Sequence, residues 1–236
     1  MTTINFFIIL LLLLVAAASI YILHKVKRVH LMQYDLQKQF EGFPETLNLT
    51  YRQVQAFLSL EKILDLPNAL PPLRNWSASP DFLLVLAEHA LNQSPEVIVE
   101  CSSGASTIVL AQCAKINGTG HVLSLEHDPF YAEKTRQELK KHDLLQWATV
   151  IDAPLKNYIF DNKEYLWYQL ENQFPNKKID MIVIDGPPAT LNYCARYPAG
   201  PLLLPLLNEK SAVFLDDADR DEEQEIIKNW LTKFPE

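Results

Sequence analysis

A chain of 236 residues is long enough for one domain of ordinary size with its own core, plus an appendage. Its 29 acidic residues against 21 basic ones leave a formal charge of −8, and outside one cluster near the N-terminus no basic stripe forms, which argues against nucleic acid as a partner. The three cysteines, Cys101, Cys113 and Cys194, form no CxxC pair and fit no metal framework, so they read as small buried hydrophobes and indirectly favour a reducing compartment.

Residues 4–23 are a run of 20 without a charged side chain, about the length at which an apolar helix spans a bilayer. No lysine or arginine precedes the run, whereas Lys25, Lys27 and Arg28 follow at once. The positive-inside rule therefore predicts a single-pass anchor with its N-terminus outside and the rest of the chain cytoplasmic. A secretory signal peptide is the rival reading, because Ala16, Ala17 and Ala18 imitate a cleavage site, but the missing basic n-region weighs against it. On this reading residues 1–30 are the anchor and its basic flank, 31–75 a helical neck and proline-rich linker, and 76–236 the main domain.

Residues 30–40 read as a short polar helix, and residues 42–48, with Pro44, as a break. Phe57, Leu60 and Leu64 then mark one face of an amphipathic helix over 51–64. Pro67, Pro71 and Pro72 interrupt regular structure, and Trp76 beyond them is an aromatic that either covers a ligand or packs on a sheet. Ser79 as N-cap with Pro80 at the first helical position starts the next helix.

From there strands and helices alternate: strand 97–101, helix 105–116, strand 121–126, helix 129–142, strands 147–151, 179–185 and 211–216, and helix 221–233. That order predicts an α/β fold, a Rossmann-like doubly wound parallel sheet with helices on both faces. Residues 157–176, rich in Tyr158, Tyr165, Trp167 and Tyr168, read as a helix or excursion on one sheet face.

The segment over 97–111, V-I-V-E-C-S-S-G-A-S-T-I-V-L-A, carries the strongest functional signal. A β-branched strand ends in an acid, a turn of small residues follows, and the next helix presents free N–H groups. The second strand ends in Glu126, 22 residues after Gly104, where an acid can accept both hydroxyls of a ribose. A single Gly104 does not make the G-x-G-x-x-G turn that a nicotinamide-dependent oxidoreductase would need.

Four runs, E-C-S-S-G-A-S-T from Glu100, S-L-E-H-D from Ser124, I-D-M-I-V-I-D-G-P-P from Ile179 and F-L-D-D from Phe214, together resemble the class I S-adenosylmethionine-dependent methyltransferases. The resemblance is strongest to bacterial members with E-x-G-S-G-x-S-T and D-G-P-P motifs, and it covers residues 76 to 236. It implies that Glu100, Ser102, Ser103 and Gly104 line the methionine and ribose end of S-adenosylmethionine. Glu126 would take the ribose hydroxyls, His127 would sit beside the adenosine, and Asp152 and Ala153 would flank the adenine. Asp185 and Asp216 are the acids placed to remove a proton from the acceptor. With Asp217 they also resemble the magnesium triad of catechol-type O-methyltransferases, although the usual third ligand there is an asparagine.

Several of these residues have simpler explanations. Asp128 is accounted for by helix capping, His127 by a polar rim, and the acids over 219–223 by a helix N-terminus that favours negative charge. Arg196, Tyr197 and Pro198 are either an acceptor wall, with Arg196 pairing an anionic group, or a surface loop. Two departures from the pattern matter. Ser102 stands where the family has its first glycine, and the two further strands of a terminal hairpin do not follow residue 215, which would leave strand 212–215 as a bare edge for a partner or a second copy to cover. The function expected is O-methylation of a small-molecule or membrane-associated acceptor, glycan or lipid-linked, at the cytoplasmic membrane face. The alternative is a methyltransferase-like scaffold that has lost catalysis.

Overall fold

The structure is a computed structural model, and it describes residues 3–73, 77–170 and 177–234; Trp76 lies outside them. The chain divides into two compact units, Met1–Arg52 and Gln53–Glu236.

In the first unit α1 (Thr3–Glu41) is one continuous helix of 39 residues, so the apolar run and the polar neck are not separate elements. No glycine or proline falls within it to interrupt the backbone. Its apolar stretch is long and apolar enough to cross a membrane, with a mean hydropathy of 3.0, and its side chains from Ile4 to Leu23 are exposed. The expected break over 42–48 shrinks to Gly42, because α2 (Phe43–Leu64) starts at once and the helical ladder resumes with Thr46 N–H donating to the Gly42 carbonyl at 3.1 Å. Pro44 is harmless in that first turn, where its missing N–H has no intrahelical partner to lose.

The second unit is built on a sheet of five parallel strands in the order β3 (Ala148–Asp152), β2 (His121–Glu126), β1 (Val97–Cys101), β6 (Ile179–Ile184), β7 (Leu207–Leu215). Before it comes α3 (Pro80–Gln93). Ser79 precedes that helix but does not cap it with its side chain; its hydroxyl donates to Asp81 Oδ1 at 2.6 Å, and that oxygen accepts the Phe82 N–H. The strands and helices then follow as β1 (Val97–Cys101), α4 (Ala105–Asn117), β2 (His121–Glu126), α5 (Pro129–Lys141) and β3 (Ala148–Asp152). The Asp128 carboxylate accepts the Phe130 N–H at 2.9 Å and so caps α5 as expected.

Alternation along the central strands sends side chains to two cores. Ile98, Val122, Met181 and Val183 face α3, α4 and α5, meeting Leu83, Leu86, Ile108 and Leu139. Val99, Cys101 and Ile184 face the other layer, with Trp167, Tyr168, Ile226 and Trp230. Burial on both faces is why these strands read as continuous apolar runs.

The segment expected as a helix or excursion over 157–176 is instead an antiparallel hairpin, β4 (Leu155–Phe160) and β5 (Lys163–Tyr168), as far as its residues are described. Asp161 and Asn162 form its turn at φ of 53° and 61°, the doubly left-handed geometry that Asp and Asn tolerate in two-residue hairpin loops. Tyr165, Trp167 and Tyr168 are buried against the sheet.

The chain then runs through β6 (Ile179–Ile184), the short α6 (Ala199–Leu203), β7 (Leu207–Leu215) and α7 (Asp221–Lys233). β7 begins before residue 211 and is the outer strand beside β6, so the edge expected there is open among the described residues.

Gly200 is where α6 meets α7, and a Cβ there would overlap the Trp230 ring, whose Nε1–H donates to the Tyr197 carbonyl at 2.9 Å. Gly200→Ala should lower stability by about 1–3 kcal/mol through this overpacking. Thermal unfolding followed by tryptophan fluorescence measures it, and an unchanged midpoint would mean that Trp230 moves aside freely.

Candidate functional site

The sheet order reverses between β1 and β6, since the chain leaves β1 toward β2 on one side and returns to β6 on the other. Loops leaving two such strands diverge, and the crevice at their carboxyl ends is where open α/β sheets bind ligands. Here the strand ends are tied laterally. Ser102 N–H donates to Leu125 O at 3.0 Å, Asp185 N–H to Cys101 O at 3.1 Å, Ala153 N–H to Glu126 O at 2.7 Å and Asp216 N–H to Ile184 O at 3.0 Å.

On the β2 side the site is organised by Glu126. Its Oε2 accepts both the N–H and the hydroxyl of Ser103, each at 3.0 Å, and its Oε1 accepts the Asp128 N–H at 3.0 Å. His127 Nδ1 lies 3.2 Å from the same Oε1. Burial pushes the Glu126 carboxyl up, but the His127 imidazole beside it and the hydrogen bonds from Asp128 and Ser103 outweigh it and hold the group below its ordinary range. The same pairing raises His127. A carboxylate has about four acceptor positions, so one remains open here, and a second opens if the Ser103 hydroxyl turns to its other neighbour, Thr135 Oγ1 at 3.0 Å.

Glu100 is placed differently from the expectation that it lines the cofactor. It is completely buried beneath the turn, where Oε2 accepts the Thr107 hydroxyl at 2.5 Å, and Thr107 Oγ1 in turn accepts the Gly104 N–H at 3.0 Å. Burial lifts its carboxyl to about 7 against hydrogen bonds from Ser106, Thr107 and Ser124. Its contact is with the underside of the turn. Asp152 points outward, 66% exposed, and pairs with Arg136 Nη2 at 2.8 Å, while Ala153 beside it is buried.

On the β6 side Asp185, Asp216 and Asp217 come together, with one carboxylate oxygen of each within 4.8 Å of the others. Between them lies Arg196, only 4% exposed, so the surface-loop reading does not hold and the guanidinium is engaged by the chain's own acids. Its Nη2 donates to Asp185 Oδ1 at 3.2 Å and to Asp217 Oδ2 at 3.1 Å, its Nη1 donates to the Asp216 carbonyl at 2.6 Å, and Glu223 Oε1 is 3.7 Å away. Magnesium needs oxygen ligands at about 2.0–2.1 Å in an octahedron. It does not fit a set of carboxylates already bound to a fixed cation. Burial and the facing Asp216 push Asp185 up to about 8 in spite of the guanidinium, and burial raises Asp216 as well.

Arg196 and Tyr168 are the contributors whose placement the sequence pattern did not show. Tyr168, at the end of β5, is fully buried with its ring 6.0 Å from that of His127, and its hydroxyl is the first atom that a Cβ on Gly186 would meet. The alternating aromatics around Asp161-Asn162 were the available hairpin signal.

Ser102 adopts φ +107°, outside the regions favoured by a residue with a Cβ. Ser102→Gly should therefore be more stable than Ser102→Ala by about 1 kcal/mol, because only glycine relieves the backbone. Thermal unfolding of the two variants gives the order, and the reverse order would mean that the turn is unstrained.

Residues 99–218 match the Methyltransferase domain family, slightly more than half of the chain. No curated protein sequence matches it. Among solved structures the chain is similar to the methyltransferase PaMTH1 of Podospora anserina with S-adenosylhomocysteine bound, at 15% identity and a TM-score of 0.50 over 73% of this chain and 69% of that one. Cofactor-bound Rv0187 from MTB gives 18% identity and a TM-score of 0.49 over 78% of each chain. The O-methyltransferase from Bacillus cereus, in complex with S-adenosylhomocysteine, gives 17% and 0.48 over 78% of this chain and 79% of that one. With the parallel sheet, its reversal point and the matched segment in agreement, the chain belongs to the methyltransferase-domain family and is a class I S-adenosylmethionine-dependent methyltransferase.

Proposed function

We propose that the protein transfers the methyl group of S-adenosylmethionine to a hydroxyl oxygen of a small or membrane-linked acceptor, such as a glycan or lipid-linked group. The observation that carries this reading is the Glu126 carboxylate at the reversal point, ionised and hydrogen-bonded to the turn after β1, with acceptor capacity left over. That remaining capacity suits the vicinal hydroxyls of a ribose. Ser102, Ser103 and Gly104 would bring the backbone close to the methionine end, His127 and Ala153 would border the adenosine, and Asp152 would bear on the adenine from the rim. Glu100 would act from below by fixing Thr107 and the turn.

The bound cosubstrate supplies an electrophilic sulfonium methyl. The chain's task is to align the acceptor oxygen with that methyl and take its proton as the new carbon–oxygen bond forms and the carbon–sulfur bond breaks. Asp185, with Asp216 beside it, is the group proposed to take the proton. The helix α1 and the basic cluster Lys25, Lys27 and Arg28 support an anchored protein whose enzyme domain faces the cytoplasm, within reach of membrane-linked acceptors.

Calorimetric titration of the full chain in detergent with S-adenosylmethionine and with NAD tests the reading. Binding of the first alone, weakened at least tenfold by Glu126→Gln, is the expected result; equal binding to the variant would remove the ribose assignment, and no binding to the folded wild type would remove the proposed cosubstrate site. A proton acceptor must be deprotonated to act, so a carboxyl raised to about 8 predicts a transfer rate that climbs with pH and levels off above that value. In Asp185→Asn that limb should vanish along with most of the activity. A pH profile in which the wild type is flat from 6 to 9 would exclude Asp185 as the base.

A further inference from the structure

The geometry points to Arg196 as the resident cation of the acceptor site, holding the place between Asp185, Asp216 and Asp217 that a divalent ion would otherwise take, so that methyl transfer by this chain needs no metal. The inference rests on the methyltransferase reading above and adds how the acid cluster is neutralised.

Four features carry it. The guanidinium is buried among acids that are themselves only partly exposed, so its charge acts on them with little screening by solvent. Its fork is divided between elements that are separate in sequence: Nη2 reaches Asp185 after β6 and Asp217 after β7, while Nη1 reaches the Asp216 carbonyl and approaches Glu223 on α7. That is the bridging task of an ion in a carboxylate cluster, performed by a planar group with fixed donor directions. Arg220 completes the arrangement from outside, with Nη2 at 2.8 Å from Asp217 Oδ1, so Asp217 is held on both oxygens and turned away from service as a metal ligand. Finally, Trp230 Nε1–H on α7 bonds the carbonyl of the adjacent Tyr197, and Cys194 and Tyr197 on either side of the arginine are buried in the apolar cluster, so the backbone that carries the guanidinium is fixed.

Because the cation belongs to the chain, it cannot be chelated away, and it always accompanies Asp185. A buried guanidinium also differs from magnesium in what it can do: it orients carboxylates but offers no open coordination position to an acceptor oxygen. Acceptors that need bidentate chelation by a metal, as a pair of neighbouring hydroxyls does, gain nothing here. Arg196 is therefore a positioning residue, and the acceptor need not carry a pair of chelating hydroxyls.

The test uses the full chain in detergent, freed of metals by chelator, and Mn2+ as the probe, with free ion followed by electron paramagnetic resonance. Wild type should show no site of sub-millimolar affinity, and an excess of EDTA should leave its transfer rate unchanged. Arg196→Met, which removes the cation but keeps the apolar bulk, should gain Mn2+ binding at least tenfold above wild type, and Asp217→Asn added to it should abolish the gain. Sub-millimolar binding by wild type that disappears in Asp216→Asn would overturn the inference, as would a folded Arg196→Met with no gain. Should Arg196→Met fail to fold, as judged by circular dichroism, the wild-type titration decides alone. Calorimetry with S-adenosylmethionine on the same wild-type sample separates the two readings: loss of that binding speaks against the methyltransferase site, whereas the Mn2+ result speaks only to the cluster.

Discussion

Strands β1 and β6 are hydrogen-bonded neighbours whose connections must leave on opposite sides, and every feature of the site follows from that constraint. A parallel strand cannot turn back on itself, so each must pass into a crossover, and where the direction of winding changes the two loops part and leave the strand ends exposed to a ligand. Two carboxylate systems then stabilise the two lips of the opening. On one, Glu126 draws the small-residue turn after β1 toward β2. On the other, Arg196 gathers the acids that end β6 and β7.

These two systems solve the same electrostatic problem in different ways. Glu126 stays ionised because three hydrogen bonds reach it, two from Ser103 and one from Asp128, with the His127 imidazole close by. The opposite lip holds more acid than base in a small volume, and burial there raises the proton affinity of Asp185 in spite of the arginine, so that its ionised form is a strong proton acceptor. One lip is thus suited to accept hydrogen bonds from a bound hydroxyl pair and the other to take up a proton. Such a division between two acidic regions of one crevice suits the proposed methyl transfer to oxygen.

Much of this was legible in the sequence because it depends on local rules. The alternation of apolar strands and capped helices, with Pro80 and Asp128-Pro129 as helix starts, placed the elements from residue 80 to residue 151 within a residue or so of where they lie. The turn over 102–104 and the acid at 126 could be paired by spacing alone. Three things could not be read in this way. Helix α1 runs on past the apolar stretch because helical continuity depends on the absence of a breaker rather than on a change in polarity. The hairpin at 155–168 has aromatic residues that could serve either a helix face or a strand, and only the Asp-Asn turn settles which. Arg196 lies in an irregular segment with no periodicity, so its burial against acids from three other elements is a property of the tertiary fold. Ser102 is the converse case: the substitution of a glycine position was visible in the sequence, and the left-handed backbone that makes it matter was not.

On the proposed function, the cosubstrate lies in the crevice between these two lips. A structure of the full chain bound to S-adenosylhomocysteine tests it most directly. The ribose hydroxyls should lie on the Glu126 carboxylate, with the Ser103 hydroxyl turned toward Thr135 and the sulfur facing Asp185 with Arg196 still in place. A ligand bound elsewhere, or one that leaves all the Glu126 hydrogen bonds to Ser103 and Asp128 unchanged and untouched, would contradict it.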